Sequence, residues 1–222
     1  MAPPAQHLTI PARALGWTVA VCVVILAVAL GLVAAHWPPL LNGDRAADSA
    51  AHLDVLTQPW LLAAARATTT AGSSLVVDLV AVVAGIALLI ARLWRGAVLV
   101  VVARLGELAS TTAVKGLLAR PRPALPDPVD HGAGYSFPSG HAAGAAAVYG
   151  ALVVLVLPRI ARWAQALLLT AGALLICAVA TSRVLLGVHY PSDVAAGMAL
   201  GLAWVGGAAL LVTRFRPEGV GT

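Results

Sequence analysis

Six long apolar runs constrain this chain more than any other feature: Leu15–Ala35, Ser74–Leu93, Ala97–Leu117, His141–Leu157, Ala164–Leu185 and Ser192–Val212. Crossing the hydrocarbon core of a bilayer takes roughly 20 mostly apolar residues in helical form. No water is available there, so the backbone must satisfy its own hydrogen bonds, which leaves helices as the solution for runs of this length. Composition agrees, with 60% hydrophobic and only 10% charged residues, where a soluble domain has roughly a quarter charged. The expected fold is therefore all-α: a polytopic six-helix transmembrane bundle forming one integral-membrane domain over residues 1–222. The first run is longer than the ~7–15 apolar residues of a signal peptide core. Although Ala34-Ala35-His36 resembles a cleavage site, it is read as an uncleaved helix.

A net charge of +5 raises the question of a nucleic-acid partner, but the arginines are scattered singly and in pairs between apolar runs. No basic stripe follows a polyanion, so no nucleic acid is expected. The scatter instead matches membrane orientation signals. Arg13, Arg92, Arg95, Arg159, Arg162, Arg214 and Arg216 fall on one side, with Glu218 the only acid there. Asp44, Asp48, Asp54, Asp127 and Asp130 fall on the other, with Arg45 and Arg66. Both termini are thus expected in the cytoplasm of a cell-membrane protein, and the loops after helices one, three and five on the outer, periplasmic or extracellular, face. Lys115, Arg120, Arg122 and Arg183 also fall on the outer side and need a separate reason, for which phosphate binding is the candidate. The charged stretch Asp44–Thr70 is placed outside the bilayer, with a short surface helix near Pro59–Ala67. Cys22 and Cys177 lie inside apolar runs and read as small buried residues. The six tryptophans mostly flank helix ends, as an aromatic belt would.

Three polar clusters interrupt the apolar pattern, all on the outer side. The first runs from Lys115 to Pro123, where Pro121 and Pro123 stop the third helix and bring Lys115 and Arg122 to the bundle rim. Its bland alternative is interfacial snorkelling of long cations. The second is Pro138-Ser139-Gly140-His141, just before the fourth run. Ser is a good N-cap, Gly admits close approach of a ligand, and a helix N-terminus attracts phosphate; an ordinary capped helix start is the alternative. The third is Ser182-Arg183, then His189, then Asp193, with Gly187 allowing a tight return and Pro191 opening the sixth helix. Asp193 lies four residues after His189, within reach of its imidazole, and so could fix the tautomer as a triad carboxylate does. A carboxylate at this depth needs His189 or Arg183, or both, as partner.

Taken together, Lys115 with Arg122-Pro123, Pro138-Ser139-Gly140-His141, and Ser182-Arg183 with His189 and Asp193 resemble the three-part signature of the type 2 phosphatidic acid phosphatase (PAP2) superfamily. That superfamily also includes vanadium haloperoxidases and bacterial acid phosphatases. The resemblance spans Lys115 to Asp193 without departure at a signature position, and the six-helix layout extends it over most of the chain. It implies that His189 attacks phosphorus to form a phosphohistidine while Asp193 orients it. His141 would protonate the leaving oxygen and then act as base on the water that releases phosphate. Lys115, Arg122, Arg183, Ser139 and the Gly140 amide would hold the phosphoryl oxygens. Phosphoryl transfer rests on positioning and electrostatic stabilisation, which three cations and a helix N-terminus supply; neither cofactor nor metal is expected.

A site at helix ends suits a lipid phosphate or diphosphate whose tail stays in the bilayer, with prenyl diphosphates, phosphatidylglycerol phosphate and phosphatidic acid as candidates. Hydrolysis of a soluble phosphoester is an alternative, as is a non-enzymatic transporter, which would more typically show inverted repeats and broken helices. A silent scaffold would have lost a signature residue. His7, His36, His52 and His131 read as interfacial or loop residues, Asp127 and Asp130 as loop residues, and Arg104 with Glu107 as an intrahelical pair that Asp78 could join.

Overall fold

The computed structural model describes residues 10–214 and shows eight α-helices among them. They are α1 (Ala12–Ala34), α2 (Pro38–Thr57), α3 (Pro59–Ala71), α4 (Ser74–Ile90), α5 (Trp94–Leu118), α6 (Gly140–Val156), α7 (Arg162–Leu185) and α8 (Pro191–Arg214). His7, Arg216 and Glu218 lie outside the described residues, as does the side chain of Arg214. Five helices, α1 and α5 to α8, are long and apolar enough to cross a membrane. At 17 residues α4 passes that test only together with α3, from which it is bent by 41°. All six apolar runs are therefore helices, with ends within a few residues of those expected.

α8 is the central helix, packed against α1, α5 and α6. Small residues set the α6–α8 distance. A Cβ at Gly201 would collide with the Ala143 carbonyl, and one at Gly197 would lie 2.5 Å from the Ser139 carbonyl. Lipid tails are as apolar as leucine, so membrane helices associate through this kind of close backbone packing. Because Gly197 sits against Ser139, the same contact sets where α6 begins. One apolar cluster (Leu15, Leu99, Leu155, Val212) closes the end holding the α1 N-terminus and the α4–α5 and α6–α7 turns. A second (Val33, Phe137, Ala196, with Val114 and Leu118) closes the opposite end.

Inside the bundle Arg104 bonds Asp78 at 2.7 Å and Glu107 at 2.6 Å, and Thr111 donates to Glu107 at 2.9 Å. The intrahelical pair forms as expected, and Asp78 joins it. Cys22 is buried but Cys177 is exposed on the α7 surface, contrary to expectation. An apolar run tells nothing about which face of a helix meets neighbours and which meets lipid. Trp17, Trp37, Trp60, Trp94 and Trp163 are exposed, whereas Trp204 lies over Gly106 and donates to Ser110 at 3.0 Å.

The 38–71 region differs most from its sequence reading. It forms two helices that meet at Gln58, not a mixed segment with one short surface helix. Proline at the first position starts both α2 and α3, where its missing N–H costs nothing. Asp44, Asp48 and His52 are all buried, and His52 donates through Nε2 to the Pro126 carbonyl at 2.7 Å. Their spacing of four places them on one helical face, turned toward α7 and α8. Polar residues conceal a buried face when their partners are polar too.

Candidate active site

Local chain geometry delivers the three clusters to one place. Lys115 sits in the last turn of α5, which ends at Ala119 in the left-handed conformation (φ 47°) before the two prolines. Ser139 and Gly140 start α6, Arg183 lies in the last turn of α7, and Asp193 in the first turn of α8. Between α7 and α8 the chain reverses at Gly187 with φ +67°, a conformation that favours glycine, placing His189 at the mouth of the bundle. The Ser139 amide donates to the Asp193 carbonyl at 3.0 Å, stitching the start of α6 to the start of α8.

His189 is almost wholly buried, and two different groups face its two nitrogens. Nδ1 lies 3.4 Å from Asp193 Oδ2, and Nε2 lies 3.0 Å from Arg122 Nη1. A carboxylate only accepts and a guanidinium only donates. These partners therefore dictate one tautomer, with the proton on Nδ1 and the lone pair on Nε2. Burial lowers the His189 pKa to about 4, against the pull of Asp193 and helped by the positive charge of Arg122 and Lys115. The ring is neutral at pH 7.

Asp193 is saturated with donors. Arg120 Nη1 reaches Oδ1 at 2.5 Å, while Ser136 Oγ and the Tyr190 amide reach Oδ2 at 2.8 and 3.0 Å. Of the two partners expected for Asp193, His189 is present and Arg183 is not. Arg183 instead donates to Thr69 of α3 at 2.6 Å and lies 3.7 Å from Asp130. Arg120, grouped by sequence with the phosphate-binding cations, is spent on Asp193 and Asp44.

The other cations face the site but are held by carbonyls of the 133–136 segment and its surroundings. Lys115 donates to Tyr135 at 2.5 Å, and Arg122 donates to Ala133, Gly134 and Val188 at 2.8, 3.0 and 2.6 Å. Burial also lowers the Arg122 pKa, opposed by Asp193 and Asp130. Among the described residues the buried polar atoms without a protein partner include two donors at the site: Ser139 Oγ, which occupies the N-cap position without capping, and Arg183 Nε. Both fit a group rich in acceptor oxygens. His141 stands at the start of α6 against the α3–α4 junction, where a Cβ on Gly72 would lie 3.4 Å from its own Cβ. Arg183, His189, Asp130 and Arg122 are near enough to act on its charge. All eight residues singled out by sequence therefore converge on the mouth of one bundle. Arg120, Asp44, Ser136 and Ser192 were missed, and for Asp44 the spacing to Asp48 and His52 was the available signal.

The model of the PAP2 superfamily matches residues 95–217, more than half of the chain. The chain belongs to the PAP2 superfamily. Phosphatidylglycerophosphatase B of Bacillus subtilis is 31% identical over 173 residues, covering 76% of this chain and 83% of that one. Decaprenylphosphoryl-5-phosphoribose phosphatase of Mycobacterium tuberculosis is 42% identical over 94 residues, 40% of this chain and 45% of the relative. Among solved structures, the transmembrane PAP2 type phosphatidylglycerolphosphate phosphatase from B. subtilis superposes with a TM-score of 0.79 at 26% identity. That match covers 89% of this chain and 98% of the other. This PAP2 protein is a multi-pass membrane phosphatase, a hydrolase of phosphate esters.

Proposed function

We propose that this PAP2 enzyme hydrolyses a lipid phosphomonoester through a phosphohistidine on His189, without a metal. The observation that carries the reading is the dictated tautomer: Nδ1 keeps its proton and donates it in a hydrogen bond to Asp193, and the Nε2 lone pair points at Arg122. An incoming phosphoryl group would take over the Arg122, Lys115 and Arg183 donors from the carbonyls and Thr69 that hold them, with Ser139 Oγ and the Gly140 amide completing the cradle. Attack by Nε2 forms the N–P bond as the ester P–O bond breaks. His141 gives its proton to the departing lipid oxygen, then takes one from the water that cleaves the N–P bond, regenerating His189 and releasing phosphate. Charge spread over the equatorial oxygens meets fixed cations in a water-poor setting, where electrostatic stabilisation is strongest.

A curated relative similar over most of the chain is a phosphatidylglycerophosphatase, and the second relative's name also denotes a lipid bearing a phosphomonoester. A phosphorylated glycerophospholipid headgroup of the phosphatidylglycerol phosphate kind is therefore the first substrate to test. Purified protein in detergent, with EDTA present, should release phosphate from phosphatidylglycerol phosphate faster than from phosphatidic acid or a prenyl diphosphate. Vanadate, a mimic of the five-coordinate transition state, should inhibit it. Loss of all activity in EDTA, restored by Mg²⁺, would sink the metal-independent mechanism.

The site is proposed to open on the outer face, with both termini cytoplasmic. Arg13, Arg92, Arg95, Arg159 and Arg162 flank helix ends at the opposite end of the bundle from His189, and positive charge there resists translocation. A cysteine introduced at Asp130, in a background lacking Cys22 and Cys177, should react with an impermeant thiol reagent on intact cells. One at Arg159 should react only after the membrane is opened; the reverse pattern would invert the protein.

A further inference from the structure

Beneath the candidate nucleophile lies a buried charge chain that ties α2, the segment after α5, and α8 together. One guanidinium, Arg120, serves two carboxylates: Nη1 meets Asp193 Oδ1 at 2.5 Å, and Nη2 meets Asp44 Oδ2 at 2.7 Å. Asp44 also accepts from the Ser192 amide at 3.0 Å and from Ser192 Oγ at 2.5 Å, so it grips the first turn of α8 next to Asp193. Arg120 Nη1 additionally reaches Ser192 Oγ at 2.8 Å, and its guanidinium lies over the Tyr190 ring, 4.3 Å from the centroid. Asp44, Arg120 and Asp193 are each less than 10% exposed. Asp44 lies outside the part of the chain matched by the superfamily model, and Arg120 has no role in the phosphate cradle.

We propose that Arg120 and Asp44 are positioning residues for hydrolysis, a relay in which Asp44 orients Arg120 and Arg120 holds Asp193 on the His189 ring. The inference rests on the reading of His189 as nucleophile and Asp193 as its orienting carboxylate. With Arg120 on Oδ1, the other carboxylate oxygen is committed to His189, Ser136 and the Tyr190 amide, so Asp193 cannot rotate away. Arg120 also offsets part of the Asp193 charge, and Asp44 offsets part of Arg120. The net charge of the chain, −1 with all three ionised, sets the field at His189. A nucleophile must be basic enough to attack yet stay unprotonated, and the relay fixes that balance from Asp44 on α2, one residue removed from Asp193. The other groups facing His189 are Arg122, Lys115 and His141; Asp48 acts on Asp193 and Asp44, and Asp130 and Arg183 act on His141. These other groups are unchanged in the variants below.

The full chain in detergent is assayed with an aryl phosphate over a range of pH as wild type, Arg120→Met, Asp44→Asn, the double variant and Arg120→Lys. In parallel the imidazole ¹⁵N resonance of His189, assigned by its loss in His189→Gln, is titrated. Arg120→Met makes the chain charge −2 and should lower kcat about 100-fold, the cost of misplacing a catalytic group by about an ångström. KM should change little. The acid limb of kcat/KM and the imidazole titration should both move up by about one pH unit, the usual effect of one more nearby negative charge. Asp44→Asn leaves the chain neutral and should move both down. The double variant restores −1 and should return them toward wild type with kcat still low. Arg120→Lys keeps the charge but not the fork, so it should lose kcat without moving the limb. If Arg120→Met does not fold, the double variant and Arg120→Lys carry the test. Coincident limbs and titrations in every folded variant would overturn the relay while leaving the nucleophile in place. Retained activity in His189→Gln and Asp193→Asn would instead overturn the site reading on which it rests.

Discussion

Replacing His189 with Gln or Ala is expected to abolish turnover, lowering kcat by about 10⁴-fold or more, the scale seen when a covalent nucleophile is removed. The protein should still fold. Asp193 keeps Arg120, Ser136 and the Tyr190 amide when the imidazole is gone, so no buried carboxylate is orphaned. Arg122 keeps its bonds to Val188, Gly134 and Ala133. The measurement is phosphate release by the purified variant beside its thermal melt in detergent. A variant that melts like wild type and still turns over at a near-normal rate would remove His189 from the chemistry. In the wild-type enzyme the nucleophile should be lost only at low pH. Its folded-state pKa of about 4 lies below the ordinary histidine value, so Nε2 becomes protonated, and turnover fails, as the pH falls through that value. A requirement for neutral His189 that set in near pH 6.5 would contradict this environment.

His141 should show a different dependence, and the difference identifies its role. An acid is needed to expel a poor leaving group, and general acid catalysis supplies typically 10²–10⁴-fold. A lipid alkoxide is such a leaving group, whereas an aryl oxide departs with little protonation. His141→Ala should therefore lose about 10³-fold against a lipid phosphomonoester and within about tenfold against an aryl phosphate in the phosphorylation step. Release of phosphate also uses His141, as base, so the comparison is made on kcat/KM, which reports the first irreversible step. Equal losses on both substrates would refute the acid role. The position of His141, at the start of α6 beside Arg183 and beside Arg122, which also faces His189, is what makes transfer to a shared phosphoryl group geometrically reasonable.

The two histidines were legible in the sequence because their surroundings interrupt long apolar runs. His141 follows Pro138-Ser139-Gly140, and His189 precedes Asp193 by one helical turn. The Arg104–Glu107 pair was legible for the same reason, since residues three apart on a helix must meet. Arg120 was not. It lies between Lys115 and Arg122 in a cationic stretch, and nothing in that spacing distinguishes an arginine turned to the site mouth from one turned beneath it. The backbone decides, because α5 ends in a left-handed residue at Ala119 and sends the next side chain inward.

By itself the amino-acid sequence determined the helices of the six apolar runs and the three clusters that interrupt them at one end. Hydrophobic length and backbone self-satisfaction in lipid leave a run of twenty apolar residues little choice, and proline and glycine mark where each run stops. The tertiary structure alone decided which charges pair between distant segments. Asp44 and Asp193 are 149 residues apart in numbering yet share one guanidinium, and Arg183 turned to Thr69 and Asp130 when the sequence allowed it Asp193. A buried charge takes whichever opposite partner the packing brings within reach, and the spacing along one helix does not name the distant residue that packing will supply.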